Sequence, residues 1–248
     1  MHQSPATPRR SAPIPLPPYT PGRGMLATIK IVLFAVCLIP AVRLATALLG
    51  DNLGPNPIEE LQKDLGFWTL TFLWITLAVT PLRQLTGQHW LVRLRRMLGL
   101  FAFFYGCLHF ANWLGLDMGF DGELIVDDLT KRPFAILGFA TLLLMVPLAA
   151  TSSNRAIKWL GGKRWQALHR SVYAVAILGM VHYLWGVKKI ALTTPLIFAA
   201  LLAVLLGYRA WDRARRFTPA GRGEPPGGMP RVVPTVTVQP VRFMERPK

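Results

Sequence analysis

Along the chain, apolar residues gather in long blocks and polar residues collect in short stretches between them. Six such blocks stand out. They run about 25–49 (MLATIKIVLFAVCLIPAVRLATALL), 66–82 (GFWTLTFLWITLAVTPL), 97–116 (MLGLFAFFYGCLHFANWLGL), 133–150 (PFAILGFATLLLMVPLAA), 167–186 and 193–211. Each approaches the roughly 20 residues that a helix needs to cross a hydrocarbon core. Neither strand-like alternation nor a one-sided amphipathic stripe accounts for the pattern. The expected fold is therefore all-α, a polytopic membrane protein built as a six-helix transmembrane bundle over residues 25–211. The Pro-rich segment 1–24 is expected to be a disordered cytoplasmic tail. Residues 212–248 are expected to form a basic, Pro/Gly-rich cytoplasmic tail.

Composition agrees with this picture. Hydrophobic residues make up 52% of the 248 and charged residues only 16%, against about 25% charged in a soluble domain. Cys37 and Cys107 both lie inside apolar blocks and build neither a disulfide framework nor a metal-binding pair. The net charge of +16 does not point to nucleic acid, because the basic residues flank the apolar blocks. Arg83, Arg93, Arg95 and Arg96 lie in one connection, and Arg155, Lys158, Lys163 and Arg164 in another. Arg9, Arg10 and Arg23 precede the first block, while Arg209, Arg213, Arg215, Arg216 and Arg222 lie at or beyond the end of the last. The alternate connections hold Lys63, Lys131, Arg132, Lys188 and Lys189 among nine acidic residues. Excess Lys/Arg marks the cytoplasmic side, which places both termini there.

Polar groups inside a membrane are costly, so an intramembrane histidine is a functional candidate. Three qualify: His109 in the third block, and His169 and His182 in the fifth. Blocks three and five run in the same direction. His109 and His182 lie about 12 and 15 residues from their starts, so both sit roughly 18–22 Å from the cytoplasmic end. Two imidazoles in one layer suit the axial positions of a haem iron. A proton relay or packing histidines are the alternatives, and the function class competing with electron transfer is an intramembrane His/Arg proton channel or transporter. His169 lies about 20 Å lower and about 220° around an ideal helix from His182. At its depth block three offers Arg95 and Arg96, which do not ligate iron. One haem is thus better supported than two, and any distortion bringing His169 into phase is expected near Gly179.

His169, Arg95, Arg96, Arg164, Trp90 and Trp165 form an inner group. It reads either as a positive-inside anchor with an aromatic belt or as a site for an anionic planar cofactor, arginines on phosphate and tryptophans beside a ring. Arg43 either snorkels to the outer surface or pairs with a haem propionate. The acidic stretch LDMGFDGELIVDDLTKRP lacks the ligand alternation of a calcium loop and reads as a solvated outer loop or a partner's docking site. Residues after 212 contain no dinucleotide-binding glycine motif.

Several stretches in order resemble one family. LGPNPIEEL, LAVTPLRQLTG, RRMLGLFAFFYGCLHF, DLTKRPFAILG and WQALHRSVYAVAILGMVHYLW are similar to the MsrQ (YedZ) family. These are haem-binding membrane subunits of the bacterial periplasmic methionine-sulfoxide reductase system, within the ferric-reductase-like transmembrane proteins. The resemblance covers about residues 25–210. It implies a multi-pass inner-membrane protein with b-type haem and FMN, its family histidines falling on His109, His169 and His182. It also implies electrons received from a cytoplasmic flavin reductase or quinol and passed to a periplasmic molybdenum-containing catalytic subunit. On that reading the chain is an electron-transfer subunit rather than the catalytic one. Two departures from the wider ferric-reductase pattern stand out: three intramembrane histidines instead of two full pairs, and no fused FAD/NADPH domain.

Overall fold

The computed structural model describes residues 20–187 and 192–217, so the expectations for residues 1–19, for Lys188 and Lys189, and for residues 218–248 lie outside the described residues. Among the described residues every regular element is helical: α1 (Arg23–Leu49), α2 (Pro57–Thr86), α3 (Val92–Ala111), α4 (Gly122–Lys131), α5 (Pro133–Ala150), α6 (Asn154–Leu160), α7 (Gly162–His169), α8 (Val172–Gly186) and α9 (Thr193–Phe217). A 3-10 turn over His89–Leu91 leads into α3, and a π-helical segment over Asn112–Asp117 leads out of it. The protein is an all-α, multi-pass membrane protein. The description of packing that follows concerns the unit ending at Ala210; the segment from Trp211 onward is a separate unit.

Local chemistry sets the helix ends. Asn56 caps α2 by accepting from the Glu59 N–H, Pro57 occupies the first turn, and Glu59 and Glu60 place negative charge at the positive end of the helix dipole. The same helix stops at Gly87, whose φ of 68° is the left-handed conformation that glycine adopts without a Cβ clash. Asp121 caps α4 through the Glu123 and Leu124 N–H groups, and Ser153 caps α6 through the Ala156 N–H.

The connection 117–132, expected as a solvated loop, accordingly holds the capped helix α4. The fifth block differs as well. It is broken at Arg170–Ser171 into α7 and α8, where the Ser171 hydroxyl and N–H both bond to the Leu168 carbonyl. The distortion falls there rather than near Gly179, which is a contact point where Leu70 and Thr141 approach within 3.4 and 3.7 Å of a Cβ position. Among the described residues five stretches are long and apolar enough to span a membrane, and α8, with 15 residues, is not among them.

Packing runs chiefly along α2 with α3 and along α5 with α8. The buried centre lies between α2 and α3, where Phe72 and Tyr105 stack at 5.2 Å and Phe101 packs alongside. Helix α1 exposes Ile31, Val32, Phe34, Val36, Ile39 and Val42, an apolar face suited to lipid rather than water.

Side chains from other helices bond to the main chain of the spans near their prolines. Pro81 has no N–H for the Leu77 carbonyl, and Arg209 of α9 donates to that oxygen from Nη2 at 2.6 Å while its guanidinium lies over the Tyr173 ring. At Pro40 the fully buried Tyr105 hydroxyl inserts into α1, accepting from the Ala41 N–H at 3.1 Å and donating to the Cys37 carbonyl at 2.7 Å. Tyr105→Phe strips both partners and is expected to cost about 1–3 kcal/mol. A lower thermal midpoint of the detergent-solubilised protein would register the loss; an unchanged midpoint would show that the turn closes on itself.

Candidate functional site

His109 and His182 come together. Their ring centres lie 6.2 Å apart with planes at 83°, as expected if parallel α3 and α8 carry them at one depth. Each ring is fixed by the same device. The His109 Nδ1–H donates to the main-chain carbonyl of Gln62 at 3.0 Å, and the His182 Nδ1–H donates to that of Phe134 at 2.7 Å. A carbonyl only accepts, so both protons sit on Nδ1 and both Nε2 atoms keep a lone pair.

The room for this comes from glycine four residues further along each helix. A Cβ on Gly66 would stand 3.1 Å from the His109 ring, and one on Gly138 would stand 2.7 Å from the His182 ring. In a helix the carbonyl of residue i faces residue i+4, so a side chain at that position would screen it from an incoming imidazole. Gln62 with Gly66 on α2, and Phe134 with Gly138 on α5, form two equivalent cradles. Composition-based reading of the blocks missed all four residues. The available signal was a glycine in the middle of an apolar helix, where it lowers helix stability unless something needs the space.

The pair fits an axially ligated macrocycle. Two imidazoles bound to one metal through bonds of about 2 Å have ring centres roughly 6 Å apart, close to the separation observed. Among the described residues no three His, Cys, Asp or Glu side chains gather to hold a metal ion. A bare transition-metal ion wants three or four protein ligands, whereas haem iron needs only axial ones. The residues that fit this role are His109 and His182.

His169 stands elsewhere, in α7. Its ring stacks on Trp165 at 4.0 Å, and its Nε2 lies 3.0 Å from the Thr151 hydroxyl. That hydroxyl donates to the Pro147 carbonyl at 2.6 Å, so it accepts from His169, whose Nε2 carries the proton. The Trp165 indole N–H donates to the Thr151 carbonyl at 2.9 Å. Thr151, the residue that ends α5, thus holds both rings, a role the sequence reading did not assign.

The charges of Arg95 and Arg96 act on the His169 ring, and Arg96 donates to Asn154 at 2.8 Å. Arg164 is exposed on α7. Arg43 is exposed and pairs with Asp64 of α2 at 2.6 Å, which gives its charge a carboxylate partner within the chain. On the opposite side, Trp113 donates to Asp128 at 3.1 Å and Arg132 pairs with the same carboxylate at 3.2 Å.

Comparison with known proteins places this architecture. Residues 65–180 match the ferric reductase like transmembrane component, a span that includes His109 and His169 and ends just before His182. A protein of Azospira oryzae named protein-methionine-sulfoxide reductase heme-binding subunit MsrQ is 53% identical over 229 residues, covering 92% of this chain and 94% of its own. Proteins of the same name from Ralstonia nicotianae and Rhodospirillum rubrum are each 49% identical, covering 79% and 75% of this chain and 90% and 89% of theirs. Similarity this close, sustained over nearly the full length of each relative, shows that the chain belongs to the MsrQ family of haem-binding subunits.

Proposed function

We propose that the chain carries electrons across the bacterial inner membrane through one b-type haem held between His109 and His182. The observation that carries this reading is the close pair of imidazoles, each locked through Nδ1 so that Nε2 carries the lone pair, which at His109 meets the Gln62 side-chain amide at 3.3 Å. In the proposed orientation both termini are cytoplasmic, following the distribution of Lys and Arg. The haem supplies a one-electron redox centre within the apolar bundle. The protein's part would be to hold the iron through His109 and His182, fix both imidazole tautomers, and exclude water and competing ligands with the surrounding apolar side chains.

The inner group around His169 is proposed to receive electrons, with FMN the candidate cofactor and a cytoplasmic flavin reductase or quinol the donor. Supporting features are the Trp165–His169 stack and the positive charge of Arg95, Arg96 and Arg164, suited to a planar ring and a phosphate. The proposed recipient is a periplasmic molybdenum-containing methionine-sulfoxide reductase, in keeping with the names of the relatives. The chain is then the membrane electron carrier of a repair system for oxidised periplasmic proteins.

The first test is optical. Protein extracted from membranes should contain about one haem per chain, with a b-type spectrum that changes on reduction; haem-free protein would sink the reading. His169→Ala should retain that haem. Its reduction by reduced FMN supplied on the cytoplasmic side should slow by about an order of magnitude or more, in line with the 10- to 100-fold effects of residues that support a redox site. Loss of haem from this variant would instead make His169 a ligand and overturn the assignment of separate roles.

A further inference from the structure

Helices α5 and α8 meet in an antiparallel register that three glycines mark. A Cβ on Gly179 would lie 3.7 Å from Thr141, one on Gly138 2.7 Å from His182, and one on Gly186 3.2 Å from the Phe134 ring. These contacts step along α8 from Gly179 through His182 to Gly186, where the helix ends. His182 occupies the middle layer. Phe134 and Gly186 form the last one, between His182 and the end of the helix.

Phe134 touches His182 in two ways. Its main-chain carbonyl accepts the Nδ1–H at 2.7 Å, a contact open to any residue type. Its ring lies 5.8 Å from the imidazole, centre to centre, at 49°, and this contact depends on the side chain. Glycine weakens a helix, yet at Gly186 the missing Cβ is the space that the Phe134 ring enters. The start of α5 is itself held, by Pro133 in the first turn and by the Arg132–Asp128 pair at 3.2 Å. A half-buried aromatic ring is thereby fixed against the outward side of His182.

Such a cover has an electrochemical consequence. The iron–porphyrin core is positively charged when ferric and neutral when ferrous, and apolar surroundings penalise the charged form. The hydrophobic shell around a metal site sets water access and dielectric, and through them the redox potential. Keeping water from the ligand therefore favours the reduced haem.

We propose that the Phe134 side chain is the outward cover of the haem ligand His182, excluding water from it and holding the reduction potential of the haem up. The inference rests on the reading of His109 and His182 as axial ligands. Phe134 is not a ligand but a positioning residue that acts through His182. Its carbonyl fixes the tautomer and its ring sets the surroundings.

The test is a redox titration of the full-length protein, purified in detergent with its own haem. Phe134→Ala deletes the ring and leaves the carbonyl. Haem content and the low-spin spectrum should stay at wild-type levels while the midpoint potential falls. Phe134→Leu restores apolar volume and should recover most of the shift. Water access is read separately, by pulsed electron paramagnetic resonance of the ferric protein in heavy water, where deuterium modulation should deepen in Phe134→Ala. Gly186→Val approaches the same layer from the other helix, displacing the ring without removing it. It should lower the potential in the wild-type background and have no effect in Phe134→Ala, because both changes act on one contact.

Retained haem with unchanged potential and unchanged modulation in Phe134→Ala would overturn the proposal and leave the ring as packing. An equal fall from Gly186→Val with and without the Phe134 ring would also overturn it. If Phe134→Ala does not retain haem, Gly186→Val alone decides, and a wild-type potential in that variant counts against the cover. Wild-type protein purified without haem would refute the axial-ligand reading itself, a distinct result.

Discussion

Replacing His182 with alanine is expected to empty the protein of haem, and His109→Ala to do the same. On the proposed reading each imidazole would be one of only two protein ligands, the macrocycle supplying the rest of the iron's coordination. No nearby His, Cys, Asp or Glu stands in reserve, since among the described residues no third such side chain joins the pair. His169 cannot substitute, because it sits in a different helix from His182 with its ring pinned between Trp165 and Thr151. Haem content by pyridine haemochrome assay should therefore fall to background in both variants. The helical fold, followed by circular dichroism, should remain, because each substitution removes an imidazole without removing a helix contact of comparable size. A variant that kept stoichiometric haem with an unaltered low-spin spectrum would exclude the pair as ligands.

Gly138→Ala should be almost as damaging, although intrinsic helix preference points the other way. Alanine in a helix interior is favoured over glycine by about 1 kcal/mol, so the change would stabilise an ordinary helix. At this position the new methyl group would fall 2.7 Å from His182 Cε1 and 2.8 Å from its Nδ1. The ring cannot simply swing away, because its Nδ1–H is held by the Phe134 carbonyl at 2.7 Å on the same helix. Relief of the clash breaks that hydrogen bond, parts α5 from α8, or both. Overpacking of this sort costs about 1–3 kcal/mol, enough to reverse the propensity gain.

Gly66→Ala is the internal control. There the nearest ring atom is at 3.1 Å and the holding bond is longer, at 3.0 Å, so gain and loss should nearly cancel. Measured together, the two variants should differ in haem retention by about tenfold or more. Equal retention would mean that the cradles have more slack than their distances imply.

How much of this was legible beforehand depends on which physical quantity carries the information. Rise per residue is nearly constant in a helix, so counting along parallel spans was enough to put His109 and His182 in one layer. The apolar blocks were equally plain, because a membrane selects composition over a fixed length. Rotation and backbone continuity were less accessible. The break at Arg170–Ser171 falls inside a run that hydropathy treats as one unit, and only the local bonds of Ser171 to Leu168 reveal it. The partners of the two imidazoles were hidden for a deeper reason. They are main-chain carbonyls, which every residue possesses, so neither Gln62 nor Phe134 announces itself by residue type. Gly66 and Gly138 were the visible half of that arrangement. Thr151 likewise belongs to a type common at helix ends, and its role depends on which rings the tertiary fold delivers to it.

The position of His182 within α8, about one helical turn from its end at Gly186, has a consequence for energy conversion. In the proposed orientation an electron passing from the start of α8 at Val172 to the level of His182 moves outward through about 15 Å of helix, about half of the insulating layer. A membrane potential negative inside drives negative charge in that direction, releasing at most about 2.3 kcal/mol per electron for each 100 mV. Electrons reaching this histidine pair would therefore be pushed by the cell's standing voltage as well as by the difference in redox potential between donor and acceptor. Each repair cycle would discharge a little of that voltage, tying the upkeep of periplasmic proteins to the energised state of the membrane.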